Sequence, residues 1–441
     1  MAKKKCIIIG AGLAGLAAAY RAVQKGWEVD VLEADKRYGG RVFTKKHRRK
    51  GRKPLVYELG GEWIGKQHKR MISLCEEDFH LDLIDHRYSL AFWREGHPLQ
   101  KYPAGAFPFS TTLENRFKHF CKEMKKHKDN VSWNEKLDRI DWWTKLKELG
   151  FSITDLERRD LMDSTDFGES IRQTSAYAGA AEYAFGNKFD EMDKKIDGGN
   201  SRLSDALAGA INAKRRSIHK NRKAVEVVQA NGIVTVVPHV GRPFKGDACI
   251  CAIPASCLNK IKWHPALPEA QHNAAEELQY ARITKTAILF PTRFWEKALP
   301  TTSKAGFSMF SDRVSDFCFE STFGQKGTEG IICSYAIGEK ADDLANEQGD
   351  RLAKWISDDV CDALEVKPRK PAVYLNQKAW QHEKSIGGAY AFYRPDQWFN
   401  VLPALARPHG RVMFAGEHLS DAWQGFMEGA VETGEAAADA L

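Results

Sequence analysis

Cys6-Ile7-Ile8-Ile9-Gly10-Ala11-Gly12-Leu13-Ala14-Gly15 is the stretch on which the fold turns. The apolar, β-rich run Cys6–Gly10 leads into three spaced glycines, Leu13–Lys25 reads as a helix, and Trp27–Glu33 reads as a second strand. Together they make a βαβ unit. Glycines at these positions allow a tight turn and a close backbone approach. A pyrophosphate can then sit at the helix N-terminus, where unpaired N–H groups and the dipole favour anions. Glu33 ends the second strand about 20 residues on, where a carboxylate binds both ribose hydroxyls and repels a 2′-phosphate. An adenine dinucleotide, NAD or FAD, is therefore expected, with contacts from Gly10, Gly12, Ala14, Gly15, Glu33 and Ala34.

Composition narrows the class. A chain of 441 residues exceeds what one core usually organises, so roughly two or three lobes are expected. With 43% hydrophobic residues and no run approaching the ~20 apolar residues of a membrane span, it reads as a soluble, globular protein with no membrane partner. Lys3-Lys4-Lys5 followed by the apolar run to Tyr20 has the outline of a secretory leader, but the glycine pattern claims the same residues for the βαβ unit. Nine irregularly placed cysteines argue against a disulfide framework and point to a reducing cytoplasm. Cys249 and Cys251 alternate along a strand and read as core thiols. The net charge of +8 is modest for this length. The basic run Lys45–Lys53 reads as a solvated loop between two elements, so no nucleic-acid partner is expected. Residues 118–128 read as the wet face of a helix. The histidines show no His-x-x-x-His pattern, and no metal site is expected.

No repeat or Pro/Gly linker divides the chain into consecutive domains. A largely helical stretch runs from Leu113 to Leu207. Strand-like alternation returns at Val225–Val237 and Ala248–Ile253, a helix covers Leu267–Leu278, and strand Arg411–Ala415 precedes helix Gly425–Leu441. Helical insertions between pieces of one α/β domain are the simplest account.

Asp35-Lys36-Arg37-Tyr38-Gly39-Gly40-Arg41 follows the acid directly. Gly39 and Gly40 permit a second close approach, and the Arg41 guanidinium can offset diphosphate charge. This extension resembles flavoproteins and not NAD dehydrogenases, so the expected cofactor becomes FAD. Glu58-Leu59-Gly60-Gly61-Glu62-Trp63-Ile64-Gly65, Asp197-Gly198-Gly199-Asn200-Ser201-Arg202-Leu203 with Val225, Trp380, Gly387-Gly388-Ala389-Tyr390, Gly416-Glu417 and Gly425-Phe426-Met427-Glu428-Gly429 extend the likeness. In that order they resemble the flavin amine oxidase family, the group of monoamine, polyamine and L-amino acid oxidases. The resemblance covers almost the whole chain. It implies an α/β fold in which a Rossmann-like FAD-binding domain, βαβ with a mixed sheet, is interleaved with an α+β substrate-binding domain. Residues 1–85, 196–262 and 376–441 would build the first, and 86–195 and 263–375 the second.

The resemblance also implies roles. Gly60, Gly61, Glu62 and Trp63 would pass the flavin, and the Val225 backbone would meet the adenine. Gly416, Glu417, Gly425, Phe426 and Met427 would approach the isoalloxazine, where a helix N-terminus favours the charge of reduced flavin. Tyr390 and Phe426 would form the two aromatic walls that admit the amine, with Phe replacing the commoner Tyr at the second. Ala389 stands where animal monoamine oxidases carry the cysteine that bonds FAD, so FAD would be held non-covalently. Lys285, in the apolar strand Ile283–Phe290 shortly before Phe294-Trp295, would hold a water against flavin N5. A desolvated lysine with a lowered pKa suits both proton transfer and oxygen activation.

The implied reaction is oxidation of a primary or secondary amine, with hydride passing to N5, imine hydrolysis, and reoxidation by O2 to give H2O2. An L-amino acid oxidase or amino-acid monooxygenase is the alternative, and a non-catalytic flavoprotein scaffold a third. Trp63 occupies the place of the arginine that clamps carboxylates in L-amino acid oxidases, which disfavours amino acids unless Arg172 or Arg394 reaches the site. Glu62, Asp166, Glu169 and Glu182 are candidate acids for a polyamine entrance. A homodimer is compatible with all of these readings.

Overall fold

The computed structural model describes residues 3–103, 106–185, 192–213, 217–298, 305–367 and 370–441. β1 (Lys5–Ile9), α1 (Leu13–Gln24) and β2 (Glu28–Leu32) form the βαβ unit that the opening motif dictates. β1 is the central strand of a five-stranded parallel sheet in the order Val412–Phe414, Ala248–Cys251, β1, β2, Ile218–His219. The strands come from both ends and the middle of the chain. α1 packs beside the C-terminal helix Met427–Asp439 and the helix Ser201–Asn212. The packing is close because small residues meet: a Cβ on Gly434 would lie 2.2 Å from the Ala14 carbonyl oxygen. Cys249 and Cys251 are buried in this sheet with raised thiol pKa values, Cys251 to about 12, because burial disfavours the thiolate. All nine cysteines are free.

A second sheet has seven strands in the order Val373–Ala379, Ile283–Phe290, Gly330–Ile337, Phe317–Glu320, Ser308–Ser311, Leu90–Trp93, Gln100–Tyr102. It is antiparallel except where Ser308–Ser311 meets Leu90–Trp93. Its central strands are buried on both faces, which explains the continuous apolar runs. Helices Thr111–Lys126, Val131–Asp138, Trp142–Glu148, Ile153–Phe167 and Ala176–Ala184 form a separate aromatic-rich core around Phe117 and Trp142. The expected helical stretch is thus broken into these helices, each started by its own Ser, Asn or Asp side-chain cap, followed by the strand Lys194–Ile196 and the helix Ser201–Asn212, which has no side-chain cap. Residues 186–191 of that stretch lie outside the described residues.

Three expectations change. The basic run 45–53 is a β-ribbon, not a loop: β3 (Thr44–Arg49) pairs with β4 (Arg52–Glu58) around Lys50-Gly51, with Gly51 at φ 68°. Leu55, Tyr57 and Leu59 anchor it against Ala287 and Ile331; Lys46, Arg48, Lys50, Arg52 and Lys53 are exposed, while Arg49 is tucked in against Glu329. The single run Val225–Val237 is two antiparallel strands, Ala224–Ala230 and Ile233–Pro238, because Asn231 and Gly232 both take positive φ, as a two-residue hairpin turn requires. The last helix starts at Met427, since Gly425 at φ 87° and the extended Phe426 cannot continue a helix backwards. No helix among the described residues is long and apolar enough to cross a membrane.

Candidate active site

A cavity of about 1230 Å³ joins the carboxyl end of the parallel sheet to the seven-stranded sheet. That exceeds the usual ~300–1,000 Å³ of a site for one small ligand. All the residues expected to form the site line it except Gly15 and Val225.

At one end α1 begins after Gly12 with no side-chain cap and no acid in its first turn, so its first N–H groups face the cavity unpaired by side chains. Gly15 acts by packing: a Cβ there would sit 1.9 Å from the Gly10 carbonyl oxygen. The second glycine pair rests on the first, with a Cβ on Gly40 falling 3.0 Å from the Gly12 Cα. Glu33 accepts hydrogen bonds from the Ala11 and Asp35 amides, each 2.8 Å. Burial raises its carboxyl pKa, and the two amides partly oppose that. Arg222 and Ala224, just before Val225, line this end in its place, and the Arg222 amide donates to the Glu33 carbonyl at 2.7 Å.

Arg41 ties the motifs together by donating to the Ala389 carbonyl at 2.5 Å and to Glu417 at 2.7 Å. Glu417 in turn accepts from the Gly425 amide at 2.9 Å, which places the second uncapped helix N-terminus, at Met427, on the same cavity. Trp380 is fixed by its indole N–H to the Leu59 carbonyl at 2.8 Å. Two bare helix N-termini, a buried acid beside one of them, and glycines where any Cβ would collide fit a dinucleotide. The chemistry of Ala389 offers no atom for a covalent link.

At the other end Lys285 is 3% exposed and donates to the Gly60 carbonyl at 3.0 Å and to Glu62 at 2.6 Å. Its ammonium lies 5.5 Å from the Trp63 ring, 5.4 Å from Phe319 and 5.2 Å from Tyr335. The expectation of a lowered pKa is overturned. Burial, the largest influence, pushes it down, but the Glu62 charge and the hydrogen bond to it push back and hold it above the usual lysine value. Glu62 also pairs with Lys195, so this acid is an internal counter-ion, not an entrance carboxylate. Tyr390 shares a hydrogen bond of 2.8 Å with the Tyr335 hydroxyl and donates to the Thr165 carbonyl at 2.5 Å. Burial keeps the Tyr390 hydroxyl protonated, well above the usual tyrosine pKa. Phe426 packs edge-on against His68 at 5.6 Å and Trp423 at 5.9 Å. Burial pulls the His68 pKa down to about 4.

Other candidates fall away. Glu169 is bound to Arg282 at 2.7 Å and does not line the cavity, nor does Glu182. Arg172 stacks on Trp143 at 3.3 Å and Arg394 bonds Gln173, both outside it. Asp166 does line it, and its charge raises the pKa of both Tyr335 and Tyr390. Tyr335, Arg87 and Arg159 also line the cavity, and Lys195 reaches it through Glu62. A tyrosine in a fully buried strand or a lysine beside another lysine carries no local signal.

A family model described as flavin containing amine oxidoreductase matches residues 13–441. An L-amino acid dehydrogenase of Synechocystis sp. is 23% identical, over 99% of this chain and 94% of its own. Human flavin-containing amine oxidase B is 24% identical, over 98% and 85%. Among solved structures, wild-type putrescine oxidase bound to putrescine superposes with a TM-score of 0.84 at 22% identity, over 100% and 99% of the two chains. Cyclohexylamine oxidase from Brevibacterium oxydans gives 0.81 at 22%, over 100% and 98%.

Proposed function

The chain belongs to the flavin-containing amine oxidoreductase family, and on that premise we propose that it binds FAD non-covalently and oxidises a small primary or secondary amine with O2 as acceptor, releasing H2O2. The observation that carries this reading is one cavity in which Glu33 and the α1 N-terminus meet Lys285, Tyr335 and Tyr390. We assign residues 1–85, 196–262 and 376–441 to the FAD-binding domain, which also lends Trp63, Tyr390 and Phe426 to the amine, and residues 86–195 and 263–375 to the substrate-binding domain. Bound FAD supplies the two-electron acceptor. Gly10, Gly12, Glu33 and Arg41 bind and orient it, and the first-turn amides of the helix that starts at Met427 favour its reduced charge. Tyr390 and Phe426 present π-faces between which an amine is oriented, and Trp63, Phe317 and Ile283 exclude water from the reacting atoms. Lys285 donates a hydrogen bond at its Nζ. Nine free thiols suit a cytoplasmic setting.

An amine is favoured over the corresponding amino acid by the charges around the cavity. Of the cations lining it, Arg87 is paired with Asp193, Lys118 with Glu114, Arg159 with Asp163, Lys285 with Glu62 and Arg41 with Glu417. Arg222 and Lys384 stand at the end given to FAD, the Arg222 amide bonding the Glu33 carbonyl and Ser385, next to Lys384, bonding Asp35; Lys223 and Lys260 line the same cavity. At the buried Arg159–Asp163 and Lys285–Glu62 pairs a substrate α-carboxylate would have to displace an existing partner, which costs several kcal/mol for a buried charge. A peroxide-coupled comparison of tyramine with tyrosine, tryptamine with tryptophan and cadaverine with lysine tests this. The amine is expected to win by at least about tenfold in kcat/KM, or ~1.4 kcal/mol. Amino acids winning throughout would move the protein to the amino acid oxidases.

A further inference from the structure

Glu62, Lys195 and Lys285 are 0%, 7% and 3% exposed at their side chains, and the carboxylate lies between the two ammonium groups. One oxygen, Oε2, accepts from Lys285 at 2.6 Å. The other, Oε1, accepts from Lys195, which also reaches the Ser321 carbonyl at 3.5 Å. The three come from separate elements: the turn after β4, the strand Lys194–Ile196, and the strand Ile283–Phe290. Asn200 completes the frame, donating from its side chain to the Gly61 and Glu62 carbonyls at 3.0 and 2.7 Å. Removing Glu62 from this buried set would leave two ammonium groups without their shared carboxylate, so the acid is what holds the arrangement together.

We infer that Glu62 is a positioning residue that keeps Lys285 an ammonium ion facing the cavity, with Lys195 as the clamp that fixes the carboxylate's orientation. The lysine then contributes a standing positive charge and a hydrogen-bond donor, not a proton-accepting amine. This rests on the reading that Lys285 faces bound FAD.

The charged and titratable groups around Lys285 support the same assignment. Glu58 on β4 lies close enough to raise its pKa, and burial lifts Glu58's own to about 7. Cys333 and Tyr335 sit on the neighbouring strand, where Tyr335 is the register partner of Lys285, and both hydrogens stay on because burial disfavours their anions. Lys378, the register partner on the other side, is turned to Glu383. His86, near Lys195, is kept neutral by burial. Glu62 is therefore the one carboxylate hydrogen-bonded to Lys285 among the described residues.

The test is a pH titration of the FAD-loaded protein labelled with lysine ¹³C at Cε, the Lys285 resonance being the one lost in Lys285→Met. In the wild type it should not titrate between about pH 6 and pH 9.5, whereas Glu62→Gln should bring its midpoint inside that window, and Glu62→Asp should remove the transition again. Turnover in Glu62→Gln should fall roughly tenfold or more across the same midpoint, with wild-type turnover flat there. Lys195→Met should lower kcat by roughly tenfold with KM unchanged. A wild-type Lys285 resonance that titrates below about pH 9, or a flat Glu62→Gln titration, overturns the inference. Should Glu62→Gln not fold, the wild-type titration and the kcat of Lys195→Met decide, an unchanged kcat counting against. If Lys285→Met itself turns over normally, it is the role of Lys285 that fails, whatever the resonances do.

Discussion

The two ends of the cavity are built on opposite plans. The end given to FAD is made of backbone: the amides of α1 and of the helix from Met427, glycines that let main chains touch, and one acid two bonds from its own turn. The end given to the amine is made of side chains brought together from far apart, Lys285 and Glu62 being 223 residues apart and Tyr335 and Tyr390 55 apart. Backbone sites tolerate change in most side chains but not in glycine conformation. Side-chain sites fail one residue at a time, in the reaction and not in binding.

Variants at the two ends should therefore separate. Lys285→Met is expected to keep FAD yet slow turnover by about 10²–10⁴-fold, the range for losing a positioned polar group at the reacting atoms. Stopped-flow rates of both half-reactions measure it, and wild-type rates would erase the distinction between the two ends. Glu33→Ala should do the reverse, losing FAD affinity by about 1.5–3 kcal/mol for each ribose hydrogen bond while leaving the turnover of the loaded fraction near normal. Calorimetric titration of the apoprotein with FAD reads it, and unchanged affinity would remove Glu33 from the ribose. Tyr335→Phe is the finest cut. It deletes the hydroxyl that holds Tyr390 at 2.8 Å while keeping the ring over Lys285. One neutral hydrogen bond is worth about 0.5–1.5 kcal/mol, so kcat/KM should fall a few-fold, with FAD affinity unmoved. A loss as large as that of Lys285→Met would show Tyr335 to be part of the chemistry.

The same contrast explains what was legible beforehand. Gly10, Gly12, Glu33 and Arg41 form a local pattern whose spacing has one structural use. Motif likeness also placed Tyr390, Phe426 and Lys285 on one cavity, together with the turn at Gly60-Gly61. Val225 does not itself line the cavity; Arg222, Lys223 and Ala224, just before it, do. The basic segment 45–53 has the look of a loop because its charges say nothing of Leu55 and Tyr57, whose burial against the seven-stranded sheet is what orders the ribbon.

By itself the amino-acid sequence determined the βαβ unit, the dinucleotide site and the family, because these rest on short-range rules of backbone geometry: where glycine is needed, where a helix begins, how far on the acid must lie. Only the tertiary structure decided what surrounds Lys285. Whether that ammonium loses its proton depends on the balance of burial against a partner's charge, and the partner, Glu62, arrives through antiparallel pairing and the turn after β4. Tyr335 joins it for the same reason, since register across two strands, and no spacing along one, puts its ring beside the lysine.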